Sequence, residues 1–188
     1  MRPYLRRRSL GVRVVAGRFG GHGLVAPRGR STRPTSDRVR EAVFSILAGS
    51  VEGARVLDLF AGSGALAIEA LSRGALDAVF VDSSVAAVAA IRRNLSAVSV
   101  DAEVRRQDAL TYLERARRDA RLYDLVFLDP PYRHASTLGQ ELSAGLGPVL
   151  APGARVVSES DRRAPLDLDL GLLDERRYGD TLIRIYGS

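Results

Sequence analysis

The chain has 188 residues, 46% of them hydrophobic, which suffices for one sizeable core and one catalytic domain. It has no cysteine and only two histidines, His22 and His134, so disulfides, thiolate metal sites and cysteine nucleophiles are excluded and no metal is expected. The net charge of +6 is uneven: residues 1–40 carry 11 arginines against one acid, Asp37, which puts +10 there and leaves −4 on the remainder. A basic arm on a mildly acidic body suits a polyanion-binding element attached to a catalytic one, and arginine's planar fork matches phosphate and guanine. No apolar run of spanning length and no signal-like segment is visible, so a cytoplasmic protein without membrane contact is expected.

Residues 1–10 lack periodicity. Residues 12–16 and 23–26 flank the turn-rich Arg18-Phe19-Gly20-Gly21, which predicts a small β-hairpin. After Arg33-Pro34-Thr35-Ser36, the apolar residues Val39, Ala42, Val43, Ile46 and Leu47 recur at helical spacing, and Gly49 follows as a stop. From Arg55 onward, runs at 56–60, 78–82, 103–108, 125–129 and 155–158 read as strands separated by crossover helices. Runs at 172–178 and 181–186 are separated only by Gly179-Asp180 and predict a closing antiparallel hairpin. The fold class is therefore α/β. The expected division is a basic arm and hairpin over residues 1–35 and a catalytic domain over 36–188.

The first of these strands leads into Asp58-Leu59-Phe60-Ala61-Gly62-Ser63-Gly64, an acid near a strand end followed by a glycine-rich turn into a helix. No third glycine stands near Ile68, so the match to pyrophosphate binding is poor. Asp58 would repel phosphate but attract a cation, and S-adenosylmethionine carries an ammonium and a sulfonium. Asp82, at the end of the second strand, suits ribose hydroxyls, and Asp108, at the end of the third, suits an adenine amine. One such acid is usually a strand-end or capping residue. Three at successive strand ends converge on one crevice, which makes Asp58, Ala61, Gly62, Gly64, Asp82 and Asp108 the candidate cofactor residues.

Asp129-Pro130-Pro131-Tyr132 closes the fourth strand. An exocyclic base amine is a weak nucleophile because its lone pair is delocalised into the ring. Acceptors that hold its two N–H groups turn the lone pair outward, and the Asp129 carboxylate and Pro130 carbonyl can serve. The two prolines stiffen the loop and remove donors, and Tyr132 offers a stacking face for an unstacked base. Arg133 follows where it could reach a phosphate or base.

With these residues in view, the chain resembles the RsmD-type family of bacterial 16S rRNA guanine-N2 methyltransferases over nearly all of residues 12–186. The resemblance rests on Arg13-Val14-Val15-Ala16-Gly17-Arg18-Phe19, on 33–41, on 58–66, on 69–75 and on Asp129-Pro130-Pro131-Tyr132. It implies a class I, Rossmann-like methyltransferase fold with a seven-stranded, mostly parallel sheet and an antiparallel last strand. It further implies S-adenosylmethionine as donor, a guanine of 16S rRNA as acceptor and a 30S ribosomal subunit as substrate. On that resemblance Arg13, Arg18, Arg28 and Arg30 help hold the RNA, and Arg33 and Arg38 lie near the cofactor mouth. A monomer is the default expectation.

Tyr132 stands where many family members carry phenylalanine, and residues 1–11 extend beyond the usual start. A DNA adenine-N6 methyltransferase, which would share the cofactor and the tetrapeptide, ranks second, because such enzymes usually carry a larger target-recognition insertion for which this chain has little room. A non-catalytic RNA-binding module would not need Asp58, Asp82 or Asp129. A nicotinamide enzyme ranks last.

Overall fold

The structure, a computed structural model, describes residues 12–27, 36–131 and 135–188, without the side chains of 135–137. Ser36 opens α1 (Asp37–Ile46): its hydroxyl accepts from the Val39 N–H at 3.3 Å, and Asp37 complements the positive helix end. The buried stripe holds Val39, Arg40, Val43 and Phe44, whereas Ile46, expected inside, is exposed. Phe44 turns the helix by packing its ring 5.8 Å from that of Phe127 on the sheet.

Strands and helices then alternate: β1 (Arg55–Leu59), α2 (Ala65–Ser72), β2 (Asp77–Asp82), α3 (Val85–Ala97), β3 (Glu103–Arg106), α4 (Ala109–Arg118), β4 (Tyr123–Leu128), α5 (Ala135–Leu146) and β5 (Leu150–Asp161). The hairpin β6 (Gly171–Tyr178) and β7 (Thr181–Gly187) closes the chain. The sheet has seven strands in the order β3-β2-β1-β4-β5-β7-β6; neighbours are parallel from β3 to β5, and β7 runs antiparallel to both β5 and β6. This is the expected Rossmann-like sheet with its antiparallel last strand. The central strands are apolar on both faces because helices cover both. One core packs α1, α2 and α3 against Val56, Phe80, Leu125, Phe127 and Val157. The other packs α4 and α5 against Leu57, Val81, Val126 and Val156.

Several strand ends differ from expectation, β5 beginning at Leu150 rather than 155 and β4 at Tyr123 rather than 125. β3 stops at Arg106 because Asp108 caps α4, its Oδ1 accepting from Leu110 N at 2.9 Å and Thr111 N at 3.2 Å. β5 continues past Ser158 to Asp161 because β7 pairs with it there, Glu159 opposite Ile183 and Asp161 opposite Thr181.

The expected N-terminal hairpin is reduced to a single bridge, Arg13 to Gly23, flanked by Val14 N to His22 O at 3.0 Å and Leu24 N to Val12 O at 2.6 Å. Further donors of this segment go to α2. Glu69, fully buried, accepts from Val15 N at 2.6 Å and Ala16 N at 3.0 Å, and Ser72 Oγ accepts from Phe19 N at 2.8 Å. Gly17 permits this approach: its φ is +80°, and a Cβ there would stand 2.0 Å from the Ser72 carbonyl oxygen. Val12, Val14, Phe19 and Leu24 consequently join the same core as α1 to α3.

Candidate functional site

The turn after β1 alternates left-handed residues: Phe60 at φ +65°, Gly62 at +56° and Gly64 at +76°. A non-glycine residue in that region stores strain. Ala61 N donating to Val81 O at 3.0 Å and Gly64 N donating to Ala61 O at 2.6 Å hold the turn in this shape. The two glycines differ in surroundings. A Cβ on Gly64 would stand 3.0 Å from Phe80 Cε1, so that glycine serves packing. A Cβ on Gly62 would meet nothing nearer than the Phe60 carbonyl oxygen at 3.9 Å, so the space over that peptide is open to a ligand.

Gly64 occupies the N-cap of α2 but has no side chain with which to cap. Asp58 takes over that task from β1: its Oδ2 accepts from Ala67 N at 3.3 Å. Asp58 is only 2% exposed, and burial pushes its carboxyl up to about 8; the Ala67 N–H opposes the rise and the charge of Asp82 adds to it. The carboxyl therefore keeps its proton to higher pH than an exposed aspartate, which refines the sequence-based picture of a fixed negative charge.

Asp82 is buried at the end of β2, where its Oδ2 accepts from Gly62 N at 2.9 Å and its Oδ1 from Ser84 N at 2.8 Å. It therefore shapes the glycine loop from the neighbouring strand. Asp108 is exposed and caps α4. Asp58 and Asp82 share the face of Val56 and Phe80, as strand alternation requires, so the sheet brings them to one side of its carboxyl edge.

Asp129 follows β4 directly. The register pairs Leu59 with Leu128, which sets Asp129 level with Phe60 at the start of the glycine loop, one strand away. Asp129 is half-buried, Pro130 buried and Pro131 exposed. Tyr132 and Arg133, with Arg28, Arg30 and Arg33, lie outside the described residues. Arg38 is exposed on the first turn of α1. Arg13 is exposed and pairs with Asp37, Nε to Oδ2 at 2.7 Å. Arg18 stacks over Phe19, 4.5 Å from the ring centroid, and lines a hollow of about 790 Å³ at the amino edge of the sheet with Arg55, Asp77, Glu103 and Arg121. That edge is opposite the one carrying the acids.

Three residues of this region were not singled out from the sequence. Asn94, 1% exposed on α3, accepts from Val25 N at 2.7 Å and donates to Val25 O at 3.0 Å and Ser63 O at 2.8 Å. It joins the N-terminal segment to the glycine loop, and its only signal in the sequence is an amide on the apolar stripe of Ile91 and Leu95. Arg40 is fully buried; its Nη2 donates to Arg13 O at 2.5 Å and Asp37 Oδ1 at 2.6 Å, while Nε and Nη1 have no acceptor among the described residues. Glu159, 5% exposed, ends the stretch of β5 beside Asp129. Among the described residues there is no group of acids and histidines able to hold a metal, and no helix long and apolar enough to cross a membrane.

Residues 12–187 match the family described as conserved hypothetical protein 95, the RsmD family. The chain belongs to this family. It is 34% identical to the ribosomal RNA small subunit methyltransferase D of Haemophilus influenzae, over 93% of each chain. It is 38% identical to YlbH of Bacillus subtilis, a protein named as an rRNA methyltransferase, over 93% of this chain and 98% of that one. Among solved structures, the Escherichia coli protein yhhF, described as a methyltransferase, superposes with a TM-score of 0.80 at 32% identity, covering 94% of this chain and 97% of that one. The family membership agrees with the resemblance seen in the sequence.

Proposed function

We propose that this chain transfers a methyl group from S-adenosylmethionine to the exocyclic N2 amine of a guanine in 16S rRNA, with the 30S subunit as substrate. The observation that carries the reading is the pairing of Leu59 with Leu128, which puts the Asp129-Pro130 acceptors one strand from the glycine loop. Methyltransferase relatives on small-subunit rRNA support the reaction class and the RNA.

The residues present fit the cofactor. The open space over Gly62 admits close backbone approach, and buried acids favour a cationic ligand over a phosphate. Asp58, Ala61, Gly62 and Gly64 would hold the amino acid end, Asp82 the ribose and Asp108 the adenine. When bound, S-adenosylmethionine supplies an electrophilic methyl group. The protein's share is orientation: the Asp129 carboxylate and Pro130 carbonyl accept the two amine hydrogens, so the nitrogen lone pair points out of the ring plane. Buried Pro130 and its neighbour Pro131 keep these acceptors fixed, and Tyr132 stacks on the base. Positioning and preorganised dipoles supply most of the rate.

RNA is held by Arg13, Arg18, Arg28, Arg30, Arg33, Arg38 and Arg133, with the 1–35 arm as the main polyanion contact and 36–188 as the catalytic domain. The protein works as a cytoplasmic monomer without a metal. The test is incubation with labelled S-adenosylmethionine and, separately, unmodified 30S subunits, naked 16S RNA and unmethylated DNA. N2-methylguanosine from the 30S sample is expected, with Asp129→Ala losing turnover but keeping cofactor affinity. N6-methyladenine from DNA would overturn the reading.

A further inference from the structure

Beyond residue 40 the chain carries a net charge of −4, yet α3 has two arginines, Arg92 and Arg93, and no acid. Both are exposed, and neither has an acid partner among the described residues. Arg117 and Arg118, also exposed, close the last turn of α4, where they complement the helix end. Arg92 and Arg93 precede the last turn of α3 and have no such task. At about 100° per residue they leave the helix on different flanks. Arg92 lines a hollow against β3 with Leu95, Val100, Asp101 and Val104. Arg93 shares its flank with Ala90, three residues earlier, and Ala90 shares it with Asn94, four later. Asn94 is the residue that clasps Val25 of the arm at 2.7 and 3.0 Å and donates to Ser63 O of the glycine loop at 2.8 Å. The flank with Arg93 therefore faces the arm and lies near the rim of the crevice. Residues 12–27 of the arm hold Arg13 and Arg18 and no acid, but Arg13 pairs with Asp37 and Arg18 stacks on Phe19. Arg93 is a cation beside them that no described residue engages.

We propose that Arg93 extends the RNA-binding surface from the arm onto α3, donating to a backbone phosphate of the rRNA strand that the arm holds. The proposal rests on the reading of the chain as an enzyme acting on rRNA. A phosphate is the ligand that fits. An exposed guanidinium with no acid beside it keeps its N–H donors for a ligand, and its planar fork matches two phosphate oxygens. Arg13 must give up a carboxylate before it can do the same, whereas Arg93 binds without that exchange. The exposed residues one turn to either side of Arg93, Ala89, Ser96 and Ala97, are small. A sugar–phosphate backbone can therefore lie close to the helix, while a protein partner finds none of the large anchors on which its binding energy depends.

The test measures binding of 16S RNA and of 30S subunits by fluorescence anisotropy, without S-adenosylmethionine, across a salt series. The proteins are the wild type, Arg93→Ala, Arg93→Lys and Arg92→Ala, and all four should melt at the same temperature because both side chains are exposed. Arg93→Ala should flatten the slope of log affinity against log salt by about 0.7–0.9, one phosphate contact, and weaken binding about fivefold at about 0.15 M salt. Arg93→Lys keeps the charge and should keep the slope. Arg92→Ala, one residue away on the β3 flank, should leave slope and affinity unchanged. In methyl transfer, Arg93→Ala should raise KM for the RNA substrate by the same factor, with kcat and S-adenosylmethionine affinity unaltered. An unaltered slope in Arg93→Ala would overturn the proposal. Equal losses in Arg92→Ala and Arg93→Ala would also overturn it, since they would report overall charge and not a contact. A loss with 30S subunits but none with naked 16S RNA would overturn it in favour of a protein contact. A wild type that binds neither would overturn the rRNA reading itself, and this proposal with it.

Discussion

Replacing Asp58 by asparagine separates two properties that one carboxyl combines. Burial raises its pKa from 3.8 to about 8, so the folded protein binds this proton more tightly than the unfolded chain. The sign follows: the contribution to stability is full below about pH 4, is lost as pH rises from 4 to 8 while the unfolded chain ionises first, and is flat above. At about 1.4 kcal/mol per tenfold change in proton concentration, the whole effect has a ceiling of about 6 kcal/mol. Between pH 5 and 8 that ceiling is about 4 kcal/mol. Asparagine keeps an oxygen for the Ala67 N–H but does not titrate, so its stability should lack this slope. Urea unfolding followed by circular dichroism at pH 5, 6.5 and 8 should show the wild type losing at least 2 kcal/mol relative to Asp58→Asn across the range, about half the ceiling. S-adenosylmethionine affinity should fall about tenfold in the variant, because a neutral amide no longer gains charge beside a cation. Parallel pH profiles for the two proteins would refute the argument, since they would mean that Asp58 ionises in the fold as easily as in the unfolded chain.

The two loop glycines should separate likewise: Gly64→Ala, with φ +76° and Phe80 3.0 Å from the new Cβ, should cost about 1–3 kcal/mol in chemical denaturation. Gly62→Ala should cost less stability but weaken S-adenosylmethionine binding in calorimetry, because its Cβ enters the open space over the loop. Asn94→Ala removes three hydrogen bonds to Val25 and Ser63 and should destabilise by about 3 kcal/mol, with a loss of cofactor affinity measurable in the same titration. Replacing Arg13 and Arg18 together with alanine should leave stability within about 1 kcal/mol, since the Arg13–Asp37 pair is exposed. If both contact phosphates, the slope of log affinity for RNA against log salt should flatten by about 2.

The sheet was readable because each central strand is a short apolar run between helical stretches, and seven strands are present where seven were expected. Errors gathered where a tertiary partner decides. The run at 103–108 looks like one strand, but Asp108 is worth more as a cap for α4 than as a ladder residue. The polar Ser158-Glu159-Ser160 looks like the end of β5, and only pairing with β7 extends it. Phe44 displaces Ile46 from the buried stripe because Phe127 lies beneath it. Asp58 and Asp82 were found from the rule that strand ends form the crevice. Their bonds to Ala67 and Gly62, which tie each acid to the loop, depend on distances that spacing does not contain.

The basic arm and the catalytic edge looked independent in the sequence, and the hydrogen bonds join them. Val25 is held on both its N–H and C=O by Asn94, whose amide also donates to Ser63 in the glycine loop. Eleven residues on, Ser36 caps α1, and Arg40 of that helix bonds the Arg13 carbonyl at the start of the arm. Val25 and Ser36, on either side of residues 28–35, are therefore tied to Asn94 and to α1. An exposed pair such as Arg13–Asp37 contributes little to stability, so the fold of this region rests on the buried Val12, Val14, Phe19 and Leu24 and on the bonds to α2 and Asn94 instead.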